Sequence, residues 1–62
     1  MKVGALVRTR YYWSGEWSEE IGVILDDEIE YFDDDEECNY KVALLSGKIR
    51  WLVEDCIREV LA

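Results

Sequence analysis

Chemistry in this chain has to come from carboxylates and aromatic rings, because its other reactive side chains lack partners. Ser14, Ser18 and Ser46 have no histidine anywhere in the sequence to serve as a base. Cys38 and Cys56 have none either, so no activated nucleophile can be assembled. Carboxylates are plentiful, but they fall in polar stretches without the apolar pocket that raises one pKa of a catalytic pair. The longest acidic run, Asp33-Asp34-Asp35-Glu36-Glu37, fails as a calcium loop. An EF-hand needs Gly at its sixth position and Glu at its twelfth, and here those places hold Cys38 and Leu44. The residues therefore point to a non-enzyme that needs no cofactor and no metal.

The aromatic residues are more suggestive. Tyr11, Tyr12, Trp13 and Trp17 cluster with the acids Glu16, Glu19 and Glu20 around Ser14-Gly15. Flat rings suit proline, and cations are attracted both to ring faces and to carboxylates. With Trp51 these residues form the expected partner-binding set: Tyr11, Tyr12, Trp13, Glu16, Trp17 and Trp51. The competing explanation is that the rings cap an undersized core or pack against a second copy. A third cluster, Lys41, Lys48 and Arg50 with Trp51, interleaves bases and rings as nucleic-acid-binding surfaces do. It stands against 15 acids, and cross-strand pairing with those acids explains it better.

Net charge is −8, from 7 basic and 15 acidic residues. That balance repels nucleic acid and anionic lipid, so neither is expected as a partner. The remaining expectation is a peptide or protein partner, with a homo-oligomer as the alternative use of the rings. No stretch approaches the roughly 20 apolar residues of a membrane span. The opening MKVGALVRTR lacks a signal-peptide core. Two cysteines are too few for a secreted disulfide framework. Reduced thiols and a cytoplasmic location are the expectation.

These residues must be positioned by short strands. Sixty-two residues allow one domain, spanning residues 1–62. A chain of this length buries only about 60% of the surface its unfolded form exposes. Val3 to Thr9 reads as a first strand, followed by a loop over Tyr11–Glu20. Ile21, Val23 and Leu25 alternate with Gly22, Ile24 and Asp26 as a second strand. Asp26-Asp27 reads as a turn, Ile29–Phe32 as a weak third strand, and Asp33–Glu37 as an acidic loop. Nine of the 15 acids lie between Asp26 and Glu37. Two alternating runs across Ser46-Gly47 make a β-hairpin, the clearest signal in the chain. Glu54-Asp55-Cys56 reads as one helical turn and Ile57–Leu61 as a closing strand. Residues 51–61 also place apolar side chains three and four apart, as a helix would. The inward set is expected to be Val7, Ile21, Val23, Val42, Leu44, Ile49 and Val53. Short strands without a long helix bury their apolar faces most economically by closing into a small barrel.

The order of these features resembles the five-stranded SH3-like barrel of KOW, Tudor and related domains. Val3-Gly4-Ala5-Leu6-Val7-Arg8 is similar to their opening strand, although Ala5 stands where Asp is common. Ile21-Gly22-Val23-Ile24 is similar to their second strand. Tyr40–Leu44 and Gly47–Trp51 resemble the next two, and Glu54–Ile57 the short helical turn before the last. More narrowly, the chain resembles small SH3-like proteins of tailed bacteriophages, including those of marine cyanobacteria.

That resemblance implies an all-β barrel with a 3-10 turn before its last strand, and a setting in the host cytoplasm. It implies no activity. In true SH3 domains, loop aromatics and a hairpin tryptophan hold polyproline helices while loop carboxylates pair with a ligand Arg or Lys. The same reading applied here gives a protein-interaction module. The alternatives are an acidic mimic of DNA acting through residues 26–37, or a structural subunit of a homo-oligomer.

Overall fold

The computed structural model describes residues 2–62, with Phe32 described by its backbone alone. Its elements are β1 (Leu6–Trp13), β2 (Glu16–Phe32), β3 (Asp35–Leu44), β4 (Ile49–Val53), a 3-10 turn (Glu54–Cys56) and β5 (Ile57–Val60). All neighbouring strands are antiparallel, in one open five-stranded sheet of order β4-β3-β2-β1-β5. The ambiguous 51–61 segment resolves into strand, 3-10 turn and strand.

The connection from β4 to β5 dictates the shape. These strands lie at opposite ends of the sheet order, which in a flat sheet means four spacings, or about 19 Å. Val53 and Ile57 are joined by only the Glu54–Cys56 turn. Four residues reach at most about 14 Å fully extended, and less in a 3-10 turn. The sheet must therefore curl, which brings β4 and the 3-10 turn towards β1.

Two expected loops are instead strand. Residues 11–20 are the end of β1 and the start of β2, closed by a tight turn in which Ser14 (φ 53°) and Gly15 (φ 84°) are both left-handed. Two successive positive φ values are the mark of a type I′ hairpin turn. Aromatic residues favour the pleated backbone, so Tyr11, Tyr12, Trp13 and Trp17 extend the ladder rather than interrupt it.

The acidic segment behaves in the same way. Asp26-Asp27 is not a turn, because β2 runs 17 residues through to Phe32. The break in alternation is a register shift between Ile24 and Asp26. Residues 33–37 contribute only a short turn at Asp33-Asp34, and Asp33 sits at φ 53°. Beyond the bulge, β2 and β3 form a ribbon whose acids are exposed, which removes the usual objection to acids in strands.

The core is Val7, Tyr11, Ile24, Tyr40, Val42, Leu44 and Leu52, with Ala5, Cys38, Cys56 and Ile57 packed against it. Val7, Val42 and Leu44 point inward as expected, but the phases of β2 and β4 are reversed. Ile21, Val23 and Val53 are only half-buried, Ile49 is 53% exposed, and Gly22, Ile24 and Leu52 are buried instead. Residues paired across antiparallel strands share a face. Val42 faces inward and pairs with Ile24, Leu44 pairs with Gly22, and Tyr40 pairs with Leu52.

Gly22 is required by close packing. A Cβ there would lie 2.6 Å from Val42 Cγ1 and 2.8 Å from the Ala43 carbonyl oxygen. Thr9 is fully buried, and its hydroxyl donates to the Glu20 carbonyl at 2.8 Å.

Candidate functional site

β5 pairs with β1 only at Val7, Arg8 and Thr9. Beyond Thr9 the edge of β1 is free of β5, so both odd and even side chains can reach along it. The curl of the sheet sets this edge against β4 and the 3-10 turn. The result is a cleft of about 410 Å³ lined by Tyr11, Tyr12, Trp13, Trp17, Arg50, Trp51, Leu52, Val53 and Cys56. Five of the six expected partner-binding residues meet there: Tyr11, Tyr12, Trp13, Trp17 and Trp51. Glu16 sits at the hairpin turn, exposed and outside the lining.

The rings divide between core and surface. Tyr11 is 4% exposed and belongs to the core, whereas Trp13, Trp17 and Trp51 are 56%, 63% and 50% exposed. None of the tryptophans is a core residue. Tyr12 and Trp17 pair across the hairpin, edge to face, with ring centres 5.5 Å apart. The Arg10 guanidinium lies 4.8 Å from the Trp17 ring centre, and that of Arg50 lies 4.5 Å from the Trp13 ring centre. One face of each of these rings is thus already covered by a cation from the same chain. That arrangement leaves less ring surface for a cationic ligand than the sequence implies.

Arg50, which the sequence grouped with Lys41, Lys48 and Trp51, also lines the cleft, as do Leu52, Val53 and Cys56, all outside the expected partner-binding set. Nothing in the sequence brings Arg50 to Trp13, 37 positions away. Its Nη1 reaches the Ile49 carbonyl at 3.4 Å, and its Nε is buried with no acceptor in the protein. Among the described residues the salt bridge present is Arg8–Glu59, at 3.2 Å, so Arg50 is in no ion pair.

Glu20 lies close by, but its carboxylate is engaged elsewhere. Tyr11 donates to it, and a Ser46 hydrogen bond is the largest cause holding its pKa below the ordinary value. Tyr11 is pushed up in turn, first by that hydrogen bond and then by burial and the Glu20 charge. Burial is also the largest cause of the raised Cys56 pKa, which keeps that thiol protonated within the cleft at neutral pH.

A second cleft of about 460 Å³ lies on the other side of Val53. It is lined by Ile29, Glu36, Glu37, Cys38, Val53, Glu54 and Asp55. Burial, with the charge of Glu54, raises the pKa of Cys38 there. No disulfide joins Cys38 to Cys56. Among the described residues no group of three or more Cys, Asp and Glu side chains is arranged to hold a metal ion. Among the same residues no helix is long and apolar enough to cross a membrane.

The fold and site together define an all-β domain that presents an aromatic cleft with a single arginine in its wall. Comparison with family models, with curated proteins and with solved structures gives no match for the chain.

Proposed function

We propose that this chain is a non-enzymatic, SH3-like barrel module of phage type that binds a peptide or protein partner in the host cytoplasm. The strand order, the curl forced by the β4–β5 connection and the 3-10 turn before β5 support the barrel reading. One observation carries the binding reading. Three tryptophans from two hairpins are each at least half exposed yet line one cleft. A core that needed those rings would have buried them, since burying an aromatic ring is among the largest stabilising terms available to so small a domain.

The acidic ribbon supports a second reading, a mimic of DNA. Glu30 and Glu37 are direct cross-strand partners. Like charges so placed cost stability, a cost that a purely structural ribbon has no reason to bear. Carboxylates displayed along such a ribbon can stand in for phosphates.

Capture of partners from bacterial lysate separates the two readings. Trp17→Ala leaves the fold intact by circular dichroism and abolishes capture if the cleft is the working surface. Replacing Asp33, Asp34 and Asp35 by Asn then changes little. A DNA mimic gives the reverse pattern, with capture falling steeply as salt rises.

A further inference from the structure

We infer that the ligand of the aromatic cleft is a peptide segment carrying a carboxylate, and that this carboxylate pairs with Arg50. The inference rests on the cleft being a peptide site and adds the charge of its ligand, which is opposite in sign to the one suggested by the acids around the hairpin.

Among the described residues, Arg50 is the only charged one that lines the cleft. Its guanidinium carries five N–H donors in a fixed fork suited to a carboxylate. The guanidinium lies over the Trp13 ring, 4.5 Å from its centre, which holds it at the cleft wall before any ligand arrives. The hydrogen-bonding capacity of its terminal nitrogens is largely unspent, with one long bond from Nη1 to the Ile49 carbonyl. Glu20, whose charge reaches Arg50, already accepts a hydrogen bond from Tyr11. A half-buried cation in an aromatic wall is the group that gains most from an incoming anion.

The ligand's direction follows from the neighbouring cleft. Beyond Val53 the wall holds Glu36, Glu37, Glu54 and Asp55. A carboxylate placed there meets like charge, so the acidic residue of the ligand has to sit at the Trp13–Arg50 end. Of the nine acids of residues 26–37, none lines the aromatic cleft, while Glu28 and Glu30 line a hollow shared with Trp51, and Glu36 and Glu37 line the second cleft.

The test uses acetylated, amidated oligoproline peptides that carry Glu, Gln or Lys at the central position. Binding is followed by the indole N–H signals of Trp13, Trp17 and Trp51 in the labelled protein. The Glu peptide is expected to bind about five-fold more tightly than the Gln peptide, the size of a partly exposed charge pair. The Lys peptide is expected to bind more weakly than either. The Glu-over-Gln preference is lost in Arg50→Gln. It also shrinks as salt rises in the parent protein, which supplies the result if that variant does not fold.

Equal or tighter binding of the Lys peptide overturns the inference while leaving the cleft as a peptide site. If no indole signal moves with any of the peptides, the cleft reading itself falls. Concentration-dependent broadening of those signals without peptide gives the cleft to a second copy of the chain and also overturns the proposal.

Discussion

Tyr11 donates to the Glu20 carboxylate from inside the core, and that bond is the largest cause of the Tyr11 shift and, after Ser46, the second cause of the Glu20 shift. Tyr11 has a pKa above its ordinary value of 10.0, so its contribution to stability is fully present below that pH and is lost as pH rises through the folded value. Glu20 has a pKa below its ordinary 4.5. Its contribution is present above that pH and lost as pH falls through the folded value. Stability is therefore expected to be flat between about pH 5 and 9 and to fall on both sides. Tyr11→Phe should cost about 1–2 kcal/mol at neutral pH. It should also flatten the alkaline fall without abolishing it, because burial raises Tyr40 as well. Urea midpoints measured across pH for both proteins check this, and an identical alkaline fall would place the loss elsewhere. Four of the five aromatic members of the site, Tyr11, Tyr12, Trp13 and Trp17, were legible in the sequence because they stand within seven residues of one another around a Ser-Gly turn. Arg50 was not, because its partner Trp13 is 37 positions away and only the curl of the sheet joins them.

At the scale of elements, the β2–β3 ribbon is the least favourable part of the design. Glu30 faces Glu37 directly, and Tyr31 faces Glu36, with no base on either strand past Lys41. Glu37→Lys turns the like pair into an attractive one and is expected to stabilise the domain by about 0.5–1 kcal/mol. The gain should vanish near 1 M salt, where the screening length is about 3 Å. Chemical denaturation at low and high salt measures both. An unchanged midpoint would mean that the two carboxylates do not sense each other. The ribbon also explains why the acidic segment was read as loop. Asp and Glu are poor strand formers by composition, and the bulge after Ile24 erases the alternation that would have announced a long β2.

For the whole molecule, the balance of burial rests on a few side chains. Ile24, Val7 and Val42 are fully buried, while Val23 lies half-buried on the opposite face. Ile24→Ala is expected to cost about 2–5 kcal/mol, enough to unfold much of a domain whose total is on the order of 5 kcal/mol. Val23→Ala should cost about 1 kcal/mol, in line with its partial burial. Equal losses in urea unfolding would contradict the face assignment.

The sequence by itself determined what is local: β-branched alternating runs that make strands, the Ser46-Gly47 turn that makes a hairpin, and the separation of rings from acids along the chain. It also carried the 3-10 turn at Glu54–Cys56. Only the tertiary structure decided which face of β2 and β4 is the core. A strand has two faces related by a shift of one residue, and in this chain both faces of β2 carry apolar side chains. The choice belongs to cross-strand register, set where Val42 meets Ile24 and Tyr40 meets Leu52. Only the tertiary structure, likewise, places Trp51 and Arg50 beside Trp13. The short link from β4 to β5 forces the sheet to curl, and that is a constraint of length on a topology, visible only once the strand order is known.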